Sequence, residues 1–136
     1  MSGYSGTPLP KKLGMKEGMT VAIINAPADF ATTLGELPEG VETHDRIEAS
    51  DIHIIFATEA AVMEPLFHEA MAQIPAEGAI WVAWPKKSSG VETDMTEDTM
   101  RELFLPTGMV DNKVCAIDET WSGLRFVVRK ENRASW

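Results

Sequence analysis

Three stretches of this chain are apolar without alternation: TVAII (Thr20 to Ile24), IHIIFA (Ile52 to Ala57) and AIWVAW (Ala79 to Trp84). A strand with one wet face alternates apolar and polar residues, whereas a strand covered on both faces does not. The three runs therefore predict central strands with helices above and below. The intervening segments carry helical spacing. Phe30, Leu34 and Leu37 recur within Ala28 to Leu37, with Pro27 placed as an early helix residue. Met63, Leu66, Phe67, Ala70 and Ile74 form an apolar stripe. Thr58 is the expected N-cap of that helix, Glu59 supplies negative charge to its first turn, and Pro65 predicts a kink or a late start. Thr96, followed by Glu97 and Asp98, caps a third helix that runs to about Leu105. Pro8 to Lys16 has room for one helical turn, with Leu9 and Leu13 on one side and Gly14 ending it.

Two weaker segments complete the pattern. VETHDRI (Val41 to Ile47) is mixed and reads as an edge strand. Asn112 to Asp118 and Leu124 to Lys130 read as a hairpin joined through Glu119 to Gly123. Strands that each leave through a helix or loop build a mostly parallel sheet with helices on both faces, closed here by an antiparallel edge hairpin. The fold class is thus α/β, a small Rossmann-like three-layer sandwich. One link is tight. Between VETHDRI and IHIIFA only about four to eight residues remain, short of the dozen or more of a usual parallel crossover. The second strand must be very short or must pair antiparallel; the first option is preferred.

A Rossmann-like sheet ending in such a hairpin resembles the S-adenosylmethionine-dependent methyltransferase fold, which implies a cofactor site after the first strand. At the residue level, GYSGTPLPKKLG, AIINAP, WVAWPKKSSG and CAIDETWSGLRFVVR resemble a bacterial domain-of-unknown-function family, found largely in actinobacteria and related lineages. That resemblance implies a single compact domain over residues 1–136; independently of it, the Gly- and Ser-rich start, residues 1–7, reads as a flexible arm or irregular loop, and 132–136 as a mostly polar tail.

Charge and composition narrow the function classes. The chain has 136 residues and a net charge of −9, from 21 acidic and 12 basic side chains, which disfavours general binding to a nucleic-acid backbone. The N-terminus has no apolar core of a signal peptide, no apolar run approaches the ~20 residues of a membrane span, and the single cysteine, Cys115, fits a reducing compartment. A cytoplasmic protein without membrane or nucleic-acid partners is expected.

Candidate chemistry collects at the carboxyl ends of the strands, where open α/β sheets bind ligands. Asn25 follows the first strand, Thr58 the third, and Trp84, Lys86 and Lys87 the fourth; Asp118 and Trp121 sit in the hairpin turn. Trp84 offers a flat apolar wall, and the lysine pair suits a phosphate or carboxylate. The plain alternative packs Trp84 over the end of the sheet and leaves both lysines in water, or pairs them with Asp118 or Glu119. Lys11 and Lys12 could add to the ring only if the N-terminal arm wraps. A dinucleotide or S-adenosylmethionine site usually has glycines after the first strand, and Asn25-Ala26-Pro27 has none. S-adenosylmethionine is therefore the less expected cofactor, although Glu42 or Asp45 stands where an acidic residue would hold a ribose. His44, His53 and His68 are not spaced as zinc ligands. His53 reads as a satisfied strand residue and Cys115 as a buried, inert thiol. The residues point first to a binding or regulatory module for a small anionic ligand or a protein partner, without a visible catalytic group. The alternative is a divergent methyltransferase lacking the glycine-rich loop.

Overall fold

The computed structural model describes residues 7–136. All but Thr7 of the expected Ser2–Thr7 arm lies outside the described residues. The elements in chain order are α1 (Leu9–Lys12), β1 (Thr20–Ile24), α2 (Phe30–Leu34), β2 (Glu42–His44), β3 (Ile52–Phe56), α3 (Ala60–Met71), β4 (Ala79–Pro85), α4 (Glu97–Phe104), β5 (Met109–Ala116) and β6 (Trp121–Val128). They form a six-stranded sheet in the order β2-β1-β3-β4-β6-β5. β2, β1, β3 and β4 are parallel, and the β5–β6 hairpin is antiparallel with β6 against β4.

The three uninterrupted apolar runs are the three central strands. Every residue of β3 and β4 is buried. Ile52, Ile54, Phe56, Trp81 and Ala83 join the core under α1 and α2, while Ile55, Ile80, Val82 and Trp84 join the core under α3 and α4. Phe67 stacks on Phe104 with centroids 3.8 Å apart, and Phe126 meets both rings edge-on. These contacts tie α3 and α4 to the hairpin.

The tight link is resolved by register. β2 is only three residues long and pairs parallel with β1, so that His44 is level with Ala22, while Ile52 at the start of β3 is level with Val21 on the other side. Residues 45–51 therefore rise by almost nothing and have only to cross two strand spacings, about 10 Å. Seven residues span as much as about 23–25 Å.

Several boundaries differ from the sequence expectation. α2 starts at Phe30, not at Ala28, and stops at Leu34 because Gly35 takes φ 76°, a positive-φ conformation that suits glycine and ends the helix. Leu37 still packs on the core, from the segment beyond. Pro27 precedes the helix, and its carbonyl accepts from the Phe30 amide at 3.0 Å. The β5–β6 connection is shorter than expected, and Gly123 lies inside β6. A β-carbon there would sit 3.0 Å from the Trp81 ring, so the glycine serves close strand packing rather than a turn. The tail is not free: Trp136 Nε1 donates to the Ile74 carbonyl at 3.2 Å.

Thr58 does not cap α3. The cap residue is Glu59, with no side-chain bond, and α3 ends at Met71 rather than Ile74. The Ala60 amide instead donates to Asp94 Oδ1 at 2.8 Å, from a loop 34 residues downstream. Thr96 does cap α4, accepting from the Thr99 amide at 3.0 Å. Asp94→Ala is expected to lower stability by about 1 kcal/mol, the usual worth of a helix cap. A chemical-denaturation midpoint equal to that of the wild type would show that Asp94 caps nothing.

Candidate functional site

The parallel registers bring the tips of β1, β3 and β4 to one edge of the sheet, and the antiparallel pairing of Pro85 with Trp121 puts the β5–β6 turn there too. At this edge Asn25 has φ 59°, the only non-glycine residue at positive φ among the described residues. Asparagine tolerates this region better than most side chains, so the chain turns sharply after β1 without a glycine. Beyond the turn, small residues and the exposed side of α2 leave a cleft of about 540 Å³. Its apolar wall includes Ala26, Phe30, Ala31, Leu34 and Leu37, and its far side is the end of β2, with His44 and Asp45. Phe30 and Leu34 are buried beneath it, and Asp45 is exposed.

The end of β2 is braced by a polar network that the sequence did not disclose. His44 Nδ1 lies 2.9 Å from the Arg46 carbonyl and 3.1 Å from Glu48 Oε1. Both neighbours are acceptors, which assigns a proton to that nitrogen. His44 Nε2 lies 2.8 Å from Ser50 Oγ, which is itself 2.9 Å from the Glu48 carbonyl. A serine–histidine–glutamate chain has the outline of an activated nucleophile, but Ser50 is only 6% exposed and its hydroxyl is tied to the backbone. The network braces the short crossover and fixes the approach to Asp45. Its only sequence signal was the polar density of HDRIEAS.

The seven candidate residues divide by environment. Asn25 forms the turn beside the cleft. The Thr58 carbonyl accepts from Thr93 Oγ1 at 2.6 Å, an anchor for the loop before α4. Trp84 is 6% exposed and packed in the core under α3 and α4, so its face is not a ligand wall. Asp118 Oδ1 accepts from the Thr120 and Trp121 amides at 2.8 and 2.7 Å, which makes it the clasp of the turn. Trp121 meets Phe56 edge-on with centroids 5.1 Å apart and lids the other core. The Lys86 amide donates to the Thr120 carbonyl at 2.8 Å, and the Lys87 side chain is exposed. Neither lysine is ion-paired with a described residue, so the anticipated pairing with Asp118 or Glu119 is not made. None of the seven residues lines the 540 Å³ cleft. Asp45, flagged in sequence as a ribose holder, does; Glu42 does not.

Two further expectations concern buried groups. Cys115 is buried, and desolvation pushes its thiol up against the weaker opposing pull of Lys12 and Lys113, as an inert thiol requires. His53 is not satisfied: it is fully buried on β3 and neither ring nitrogen has a hydrogen-bond partner. Burial, reinforced by the charge of His44 and weakly opposed by the Glu48 backbone, lowers its pKa to about 4. Among the described residues no three His, Cys, Asp or Glu side chains are grouped to hold a metal ion, and no helix is long and apolar enough to cross a membrane.

The strand order, with four parallel strands and an antiparallel terminal hairpin whose last strand is inserted next to β4, is distinctive. The structure of an S-adenosylmethionine-dependent methyltransferase from Aquifex aeolicus superposes on it with a TM-score of 0.60 at 16% identity, covering 87% of each chain. This is the methyltransferase-type Rossmann-like fold. Ribosomal protein L11 methylase from Lactobacillus delbrueckii subsp. bulgaricus shares the methyltransferase-type fold with a TM-score of 0.58 at 7% identity, over 88% of this chain and 74% of that one. So does Aeropyrum pernix fibrillarin, solved with natively bound S-adenosyl-L-methionine, with a TM-score of 0.56 at 13% identity over 93% and 71%. No family model matches the chain, and no curated protein matches it in sequence. At these identities the methyltransferase-type likeness is one of fold.

Proposed function

We propose that this chain binds S-adenosylmethionine or S-adenosylhomocysteine in the cleft between the β1–α2 segment and the end of β2, as a divergent methyltransferase-type domain. The observation that carries the reading is the cleft's position: it opens at the carboxyl ends of β1 and β2, the region where α/β sheets of this kind hold nucleotides. The residues suit an adenosyl group. Ala26 and Ala31 leave room, and Phe30, Leu34 and Leu37 offer an apolar wall to a base. Asp45 supplies a carboxylate that accepts from ribose hydroxyls. Asn25 makes the sharp turn that glycine makes elsewhere, so the missing glycine loop weighs less against the cofactor than the sequence implied.

When bound, S-adenosylmethionine supplies an activated methyl group on a sulfonium. The chain's own contribution would be to bind and orient it, because methyl transfer to a good nucleophile draws mainly on proximity and alignment. The edge beyond Asn25, with Thr58 and the lysine pair, would face the acceptor.

Titration calorimetry with both compounds tests the reading. Binding in the micromolar range is expected, weakened at least tenfold by Asp45→Ala and abolished by Ala31→Trp, which fills the cleft from the exposed side of α2. Silence with both compounds would sink it. A second reading, a non-catalytic module for a small anion or protein partner, rests on the absence of an ion pair at Lys86 and Lys87. It is favoured if both adenosyl compounds are silent and a ligand held by the wild type is lost in Lys86→Ala/Lys87→Ala.

A further inference from the structure

Among the described residues that line the 540 Å³ cleft, only His44 and Asp45 are titratable. A carboxylate in water changes charge only in acid, so a response of this cleft to pH near neutrality has to come from His44. His44 closes β2 and stands level with Ala22, which is buried in the core under α3 and α4. Residues level on neighbouring strands share a face of the sheet, so the imidazole lies on the α3 side, where it is only 18% exposed. Nδ1 faces two acceptors, the Arg46 carbonyl at 2.9 Å and Glu48 Oε1 at 3.1 Å. Nε2 faces Ser50 Oγ at 2.8 Å, and that same oxygen lies 2.9 Å from the Glu48 carbonyl.

A serine hydroxyl has one proton to give. With His44 neutral and its proton on Nδ1, Ser50 must donate to Nε2, and its contact with the Glu48 carbonyl then holds no hydrogen. With His44 as the imidazolium, Nε2 donates to Ser50, Ser50 donates to the Glu48 carbonyl, and the ring charge lies against the Glu48 carboxylate. Only the second arrangement satisfies every contact. The surroundings add little charge of their own. Arg46 is exposed and reaches Glu48 Oε1 at 3.5 Å. Glu42, two residues back on β2, is exposed, and Asp51 Oδ2 accepts from the Thr20 amide at 3.0 Å. From β3, His53 faces His44 across Ala22, and burial holds it neutral with a pKa lowered to about 4. From the end of α3, Gln73 offers the Ser50 amide a carbonyl and no charge.

We propose that His44 is a proton-operated positioning residue of the cleft. With its second proton it ties Glu48 and Ser50 to the end of β2 and holds the neighbouring Asp45 in place; without it the crossover loosens and ligand affinity falls. Residues 45–51 are the whole link between β2 and β3, so whatever fixes Arg46, Glu48 and Ser50 fixes the segment that begins with Asp45. This regulation rests on the adenosyl reading of the cleft.

The test follows the ring nitrogens of His44 in proton–nitrogen correlation spectra of the ligand-free chain from pH 5 to pH 9. Titration calorimetry with S-adenosylhomocysteine runs beside it at pH 6 and pH 8.5. The wild type is expected to keep the second proton of His44 to higher pH than either Ser50→Ala or Glu48→Gln, and its affinity is expected to fall by about threefold or more between pH 6 and pH 8.5. Ser50→Ala is expected to bind at pH 6 nearly as weakly as the wild type does at pH 8.5, with most of the slope gone. A serine that served only the scaffold would weaken binding by the same factor at both values. The amino group of the ligand titrates alike in all three proteins, so the difference between them isolates His44. If both variants take up the second proton at the same pH as the wild type, or if wild-type affinity is equal at pH 6 and pH 8.5, the proposal is overturned while the adenosyl reading stands. If the proton behaves as expected but S-adenosylhomocysteine binds at neither pH, the adenosyl reading fails and the regulation falls with it.

Discussion

Replacing His53 by leucine raises the stability of the folded chain at pH 7 by about 1–3 kcal/mol, the cost of leaving a buried polar group unsatisfied, and raises it further as the solution is acidified. His53 stands in the middle of the sheet, level with Ala22 on β1 and Ile80 on β4. It is fully buried, without a partner for either nitrogen. Leucine has nearly its volume and no polar atom, so the substitution itself costs little. The pH dependence follows from where the proton goes. Unfolded, the imidazole titrates near 6.5; folded, its pKa is lowered to about 4, chiefly by burial. Between those values the unfolded chain holds a proton that the folded chain refuses, so acid draws molecules toward the unfolded state. The resulting loss begins as pH falls below the unfolded value and reaches about 2 kcal/mol at pH 5 and about 3 kcal/mol at pH 4. Carboxylates elsewhere also titrate in acid, but they do so equally in both proteins. The diagnostic is therefore the gap between the urea midpoints of wild type and His53→Leu at pH 7 and pH 5. A gap that does not widen at pH 5 would show that the buried imidazole finds a proton partner after all.

His53 also marks the limit of what the sequence disclosed. IHIIFA was legible as a central strand because five apolar neighbours need no particular partner. Whether one histidine among them is satisfied depends on groups brought there by other segments, and periodicity carries no such information. The same division runs through the chain. TVAII and AIWVAW identified the central strands, and Thr96 identified its helix, because both signals are local. Thr58 misled as a cap because the acceptor that caps α3 is Asp94, supplied by a distant loop. The candidate site divides similarly. That Asn25, Thr58, the lysine pair and the turn at Trp121 share one edge followed from counting parallel strands. That Trp84 faces inward, and that the open space lies instead between α2 and β2, did not follow. The cleft exists because Gly35 ends α2 early and because a three-residue strand leaves the sheet edge low. Both are matters of where elements stop, which hydrophobic spacing marks poorly.

Trp81 is where the fold is expected to be least tolerant. It is fully buried in the core under α1 and α2, and its indole Nε1 donates to the Leu13 carbonyl at 3.0 Å across 68 positions of sequence. Leu13 is the C-cap of α1, its amide donating to the Leu9 carbonyl, and α1 is an element of four residues with almost no stability of its own. The indole thus fills space and pins the N-terminal segment to the sheet. Trp81→Ala is expected to cost about 3–5 kcal/mol for the cavity alone, and about 1–3 kcal/mol more for the orphaned carbonyl. Set against a typical total of about 5–15 kcal/mol, this leaves the chain near its folding threshold. Trp81→Phe separates the two contributions, because it keeps most of the ring while removing the donor. Its urea midpoint should fall by much less than that of the alanine variant. The amides of Lys12 and Leu13, which donate to the Pro8 and Leu9 carbonyls, should then exchange with solvent well before the amides of β3 and β4. In the wild type these amides should exchange more slowly than in Trp81→Phe. If the phenylalanine variant protects Lys12 and Leu13 as well as the native protein does, the indole bond is not what holds α1 down, and packing by Leu13 and Met15 must do so instead.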